Sequence, residues 1–348
     1  MVDQGFNSRS SEFVVVFLIQ NYLKAIPLLE NELFINIILF LLGFLFLTVG
    51  ADTLVRGASR LAARFKIPHV IIGLTVVALG TSLPELVVTL IANFQDEVGS
   101  NIAIGNIVGS NIANLALILG VCGVLTAIPV ERNLIRLEYP LLMAVSILFV
   151  ALAWDGEINR VEGIILLMGI IGFTIYSYLA VRGQSEEEGL DDIDIADDSK
   201  LSMDILLVAL GTAGLVLGAN WLVDSATFLA RTFGVSELVI GLTLVAIGTS
   251  LPELATTSVS LIRGQDDIAV GNIVGSNLYN IMLIGGLNSI IKPIQSPESM
   301  RWLDYPVMLG MTLLVFLLII PKPHRVTRWQ GLLLLALYFS YSAWVFIA

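Results

Sequence analysis

The sequence predicts an all-α polytopic membrane protein: ten transmembrane helices in two inverted five-helix repeats, with broken helices where the repeats meet. Three observations predict it. The 348 residues are 56% hydrophobic and only 14% charged, too apolar for an ordinary soluble domain. Apolar runs long enough to cross a bilayer recur from end to end. The segment GTSLPE occurs twice, at 80–85 and 248–253, each time inside such a run.

Taken in order, residues 1–33 form an N-terminal extension. Its apolar stretch 13–29 is interrupted by Asn21 and Lys24, which suits an interfacial helix better than an eleventh span. No small-residue cleavage site follows, so no signal peptide is expected. The first repeat, 34–182, holds spans near 34–55, 69–92, 102–127, 139–153 and 161–181. Residues 183–203 are an acidic cytoplasmic linker that includes SEEEGLDDIDIADD. Its spacing does not match an EF-hand loop, so a solvated tether is expected rather than a regulatory Ca²⁺ site. The second repeat, 204–348, holds spans near 204–224, 238–261, 268–290, 304–320 and 330–347.

The charges orient this layout. With the N-terminus outside, the inner loops carry Arg56, Arg60, Arg64, Lys66, Arg132, Arg136, Arg182, Lys200, Arg263, Lys322, Arg325 and Arg328, which is 12 of the 18 basic residues. That is the bias a membrane protein shows toward its cytoplasmic side. An even number of spans then puts both termini outside, in a cell (inner) membrane. Trp154, Trp302 and Trp329 fall at span edges, where interfacial tryptophans belong. Asp52 and Asp224 read as interfacial, and His69 and His324 as exposed at loop edges. The single cysteine, Cys122, excludes an internal disulfide. The net charge of −11 and the lack of a basic patch argue against nucleic-acid binding. The lipid bilayer is the expected environment, and no obligate protein partner is evident.

The duplication extends beyond the hexapeptide. GLTVVALGTSLPEL (73–86) and GLTLVAIGTSLPEL (241–254) agree at 12 of 14 positions, an offset of 168. GNIVGSN recurs unchanged at 105–111 and 271–277, an offset of 166. Each unit holds five spans. Five is odd, so the second unit enters the membrane in the opposite orientation, as in many secondary transporters.

The residue types point to cation chemistry. A carboxylate at the centre of a span costs about 2.5–3.5 kcal/mol to insert, so Glu85 and Glu253 call for a function. Thr81 and Glu85 share a helix face, as do Thr249 and Glu253. Pro84 removes the partner of the Gly80 carbonyl and pushes the helix open, and Pro252 repeats this with Gly248. Freed carbonyls inside a membrane need a partner, which a cation can supply. Asn106, Ser110 and Asn114 form a polar stripe at i, i+4, i+8, repeated by Asn272, Ser276 and Asn280. Gly105 with Gly109, and Gly271 with Gly275, form GxxxG pairs that favour close helix approach. All of these ligands are oxygens, which select hard cations such as Ca²⁺ and Na⁺. One such kink is ordinary helix packing; two, each with a mid-span glutamate and a following polar stripe, are not.

On these motifs the chain resembles the cation/Ca²⁺ antiporter superfamily, most closely the prokaryotic Na⁺/Ca²⁺ exchangers. The resemblance covers about residues 34–347. It implies ion ligands at Ala78 (carbonyl), Thr81, Ser82, Glu85, Ser110 and Asn114, and at Ala246 (carbonyl), Thr249, Ser250, Glu253, Ser276 and Asn280. It implies no cofactor, only transported Ca²⁺ and Na⁺. Asn280 stands where the K⁺-dependent branch carries Asp, which argues for K⁺ independence. The second motif lacks the glutamate of the H⁺-coupled branch, which favours Na⁺ as driving ion. Ca²⁺/H⁺ or other cation antiport, or K⁺-dependent Na⁺/Ca²⁺ exchange, is the alternative. A channel needs a continuous open path. An enzyme is not expected: an intramembrane protease needs a base beside Ser82 or Ser250, and neither histidine is so placed.

Overall fold

The first long apolar run begins with Glu32 in the first turn and continues as one helix well past the expected end of the span. The computed structural model describes residues 32–94, 97–184, 200–233 and 248–347. In it, α1 is Glu32–Phe65. The expected span 34–55 is therefore ten residues short. The basic segment carrying Arg56, Arg60 and Arg64 is helix rather than loop, because Leu54, Val55, Ala58, Leu61 and Ala62 give it a buried apolar face. The second run is broken: α2 (His69–Thr81) and α3 (Leu83–Phe94) meet at 44°. Next, α4 (Glu97–Ile112) passes through a π-helical turn, Ala113–Ile118, into α5 (Leu119–Leu125). Strand β1 (Ile128–Pro129) leads to a second π turn, Leu134–Glu138, and α6 (Tyr139–Leu152). Then come β2 (Glu157–Ile158) and α7 (Arg160–Gln184).

The second half begins with α8 (Leu201–Thr232), again longer than the expected 204–224. The span expected at 238–261 is described from residue 248 onward, and α9 is Leu251–Ile262. α10 (Asp266–Leu278) runs through a π turn, Tyr279–Gly285, into α11 (Gly286–Ile291). After β3 (Ile294–Gln295) come α12 (Glu298–Trp302), α13 (Asp304–Ile319), β4 (Arg325–Val326) and α14 (Arg328–Ile347). By length and apolar composition, seven of the described helices can each cross a membrane, and the bent α2–α3 pair makes an eighth. The expected N-terminal interfacial helix and most of the acidic linker lie outside the described residues.

Corresponding elements of the halves meet one another. α1 and α8 pack antiparallel through glycine. A Cβ on Gly43 would lie 2.9 Å from the Gly218 carbonyl, and one on Gly50 would lie 2.9 Å from that of Gly211. β1 pairs antiparallel with β4, and β2 with β3. Gly120 abuts Gly331, while Gly163 abuts Gly286. In each case one contact is the other moved by the repeat offset. The main core lies between α4–α7 and α10–α14, with Tyr139, Phe149 and Tyr305 buried at its centre.

The GxxxG expectation holds for Gly271 and Gly275; for Gly105 and Gly109 the second-half segment that matches α2 lies mostly outside the described residues. Gly271 and Gly275 press on the backbone of α2: a Cβ on Gly271 would lie 2.5 Å from the Val70 carbonyl, and one on Gly275 would lie 2.6 Å from that of Leu74. No described residue lies within 4 Å of a Cβ at Gly105 or Gly109. Trp154, Trp302 and Trp329 are exposed, as span-edge tryptophans should be. Asp52 pairs with Arg56 and with Arg263 at the end of α9. The two histidines depart from expectation, being half-buried: His69 faces Asp267, and His324 Nδ1 lies 3.1 Å from the Ile319 carbonyl.

Candidate ion site between the two helix breaks

The two GTSLPE segments adopt one conformation. Ser82 has φ −84°, ψ 4° and Ser250 has φ −88°, ψ 2°, outside the helical run in both halves. Each serine precedes a fresh helix, and its carbonyl accepts that helix's N–H four residues on, Leu86 or Leu254, at 3.1 Å in both cases. Pro84 and Pro252 thus sit in the first turn of a new helix, where a missing N–H is harmless. The expected break is present, but it falls at the serine. The glutamates follow three residues after it, near the positive end of the α3 and α9 dipoles.

Ser-x-x-Glu at a helix start is the pattern of a local capping box. Here one such bond crosses between the halves instead. Ser82 Oγ donates to Glu253 Oε1 at 3.0 Å, and Ser250 makes no capping bond to its own helix. Thr81 Oγ1 lies 3.1 Å from Asn272 Oδ1, to which it donates, and 3.4 Å from Ser276 Oγ. The second motif buttresses α3 and α9 alike: Asn106 Nδ2 donates to Thr89 Oγ1 at 2.9 Å, and Asn272 Nδ2 donates to Thr257 Oγ1 at 3.1 Å. The Ala78 carbonyl accepts the Ser82 N–H at 3.0 Å and also lies 3.3 Å from Thr81 Oγ1.

What remains at the centre is a set of oxygens without partners. Glu85 and Glu253 are each 1% exposed, and each has one carboxylate oxygen that accepts no hydrogen bond. Asn114 and Asn280 are equally buried and use neither the oxygen nor the nitrogen of their amides; Ser250 Oγ is also unpartnered. Ser110 and Ser276 are buried, and Thr249 is half-buried. Of the twelve residues expected at the site, Ala246 alone lies outside the described residues. Two buried carboxylates with idle oxygens around them can both stay ionised only with a compensating cation. Among the described residues no cluster of three or more His, Cys, Asp or Glu exists, so a soft-metal centre finds no ligand set there.

This geometry has relatives. The sodium/calcium exchanger protein family matches the chain twice, over residues 35–179 and 203–347. The chain belongs to the sodium/calcium exchanger family. The two matches are themselves offset by 168, the offset of the GTSLPE segments. The exchanger is 33% identical to the sodium/calcium exchanger MaX1 of Methanosarcina acetivorans, over 90% of this chain and 99% of that protein. It is 37% identical to the inner membrane protein YrbG of Escherichia coli, over 85% of this chain and 92% of the relative. Its fold matches the solved structure of the sodium-calcium exchanger NCX_Mj soaked with zero Na⁺ and Ca²⁺, with TM-score 0.75 and 32% identity, covering 90% of this chain and all of the other. The exchanger is a multi-pass membrane protein and a secondary transporter rather than an enzyme, of a family whose transported ions are Na⁺ and Ca²⁺.

Two parts of this candidate site were not expected from the sequence. The sequence reading placed Asn272 on the polar stripe but not Thr89 and Thr257, the hydroxyls that hold Asn106 and Asn272. A threonine one turn beyond each glutamate was the available signal. It also missed the π turns, which begin one residue before Asn114 and Asn280 and turn both amides relative to a regular stripe.

Proposed function

We propose that this exchanger moves Ca²⁺ against Na⁺ by alternating access through one shared cage. The cage comprises Ala78, Thr81, Ser82, Glu85, Ser110 and Asn114 from one half, with Ala246, Thr249, Ser250, Glu253, Ser276 and Asn280 from the other. The observation that carries the reading is the pair of buried carboxylates, each with an idle oxygen, faced by two amides with no partner at all. Two carboxylates balance one Ca²⁺. Hydroxyl, amide and carbonyl oxygens complete a hard-cation shell for either ion. With both glutamates almost wholly buried, an ion can reach them only after part of the molecule moves.

The same reading divides the chain into inverted five-helix halves, 34–182 and 204–348, joined by a cytoplasmic tether, with both termini extracytoplasmic. The antiparallel packing of α1 on α8 and the reciprocal strand pairs support the inversion. Neutral Asn280 supports transport without K⁺, since K⁺ would add a charge with no third carboxylate to meet it. Exchange of more than two Na⁺ per Ca²⁺ makes the cycle electrogenic. The test is ⁴⁵Ca²⁺ uptake into vesicles loaded with Na⁺, H⁺ or K⁺. Uptake driven by the outward Na⁺ gradient alone is expected. Uptake driven equally by an outward H⁺ gradient would replace this reading with Ca²⁺/H⁺ antiport.

A further inference from the structure

One face of α9 stays polar beyond the ion cage. Glu253, Thr256, Thr257 and Ser260 are all buried, at 1%, 0%, 0% and 0% exposure, and their i, i+3, i+4, i+7 spacing puts them on one face. Leu251, Ala255 and Val259, on the opposite side, pack into the apolar cluster around α1. Thr257 is occupied by Asn272, whereas Thr256 Oγ1 and Ser260 Oγ have no partner. Ser177 on α7 and Ser225 on α8 are the other described buried hydroxyls within helices that lack a partner, each on a different helix. Thr75, Ser146, Ser289 and Thr312, also within helices, each donate to the carbonyl four residues back at 2.7–2.8 Å. The row ends at Gln265, whose Oε1 is likewise buried and idle, and at the half-buried Asp266 and Asp267 that open α10. From Glu253 to Ser260 the helix rises about 10 Å.

The first half is built differently. At the positions matching Thr256 and Ser260 it carries Val88 and Ala92, while Thr89 matches Thr257. The hydroxyl row is therefore a property of one half, and it leads toward one membrane face.

We propose that Thr256 and Ser260 form a second cation station on the half-path between the Glu253 carboxylate and the mouth at Gln265–Asp267. It rests on the cation-exchange reading above. A cation leaving the cage must exchange protein oxygens for water across a stretch that excludes bulk solvent, and each missing ligand is costly there. Two free hydroxyls one turn apart supply oxygens midway. Being neutral, they hold the ion weakly enough to release it to the carboxylates at either end.

The test replaces the pair by the residues of the other half, T256V/S260A, with T256S/S260T as the hydroxyl-preserving control. Initial ⁴⁵Ca²⁺ uptake at low Ca²⁺ is measured in right-side-out and everted vesicles, and equilibrium ⁴⁵Ca²⁺ binding on purified protein. The expected result is a fall of about fivefold or more in kcat/KM at the face where α9 ends and less than twofold at the other. Equilibrium binding stays within twofold and the control stays near wild type. Equal effects at both faces, no effect at either, or loss of equilibrium binding would overturn the station while leaving wild-type exchange, and hence the cage, intact. Absence of Ca²⁺ transport by the wild type overturns both.

Discussion

A buried carboxylate whose oxygen accepts no hydrogen bond raises the energy of the ion-free protein and lowers that of the ion-bound one. Glu85 and Glu253 are in that position, so one substitution should move stability and transport in opposite directions. Glu85→Gln or Glu253→Gln is expected to lower Ca²⁺ uptake at least 100-fold, equivalent to about 2.8 kcal/mol. In buffer free of Ca²⁺ and Na⁺, the same variants should melt higher than wild type, and adding Ca²⁺ should no longer raise their midpoint. Thermal unfolding of purified protein, read beside vesicle uptake, checks both signs. A variant that simply misfolds would melt lower in every buffer. Ser82 Oγ donates to one Glu253 oxygen, and the other accepts no hydrogen bond.

At the scale of helices, α1 and α8 are joined backbone to backbone. A Cβ on Gly218 would lie 2.4 Å from the Leu47 nitrogen, which no rotamer change can relieve. Gly218→Ala should therefore cost about 1–3 kcal/mol, seen as a lower thermal midpoint. Gly310→Ala, on an exposed helix face with no neighbour within 4 Å among the described residues, should be neutral. A second expectation concerns the tether. Deleting 186–198 should leave exchange intact, because a polar acidic segment of that composition has no core of its own to contribute. Initial uptake rates of well-expressed protein decide it. Much of this level was legible in the sequence. The repeat offset foretold which elements correspond, and Gly-Thr-Ser-Leu-Pro-Glu foretold a break beside a carboxylate. Helix ends were less legible, since the apolar pattern of α1 fades into an amphipathic one after Val55 without a stop signal. The bond from Ser82 to Glu253 was not legible at all: Ser-x-x-Glu reads as a local cap, and only the approach of the other half diverts it.

At the scale of the whole molecule, the proposed shared cage has both ions using the same two glutamates, so that neither fills it while the other holds it. Raising Na⁺ on the Ca²⁺ side should then raise the apparent KM for Ca²⁺ with little change in maximum rate. A valinomycin-set potential should alter the rate if net charge moves. Purely non-competitive inhibition, or indifference to potential, would contradict the corresponding half of this expectation. The glycine contacts of α1 with α8 carry a separate consequence. Gly43 and Gly50 become Gly211 and Gly218 when moved by 168 residues, yet Gly43 meets Gly218 and Gly50 meets Gly211. The contact is its own mirror partner, like the self-complementary interface of a twofold dimer. A single ancestral gene encoding one half would have made this contact between two separate chains, one inserted each way up. Every mutation in it would then have struck both sides at once. Within one fused chain the two sides are free to differ, as Val88 differs from Thr256 and Ala92 from Ser260 at matched positions.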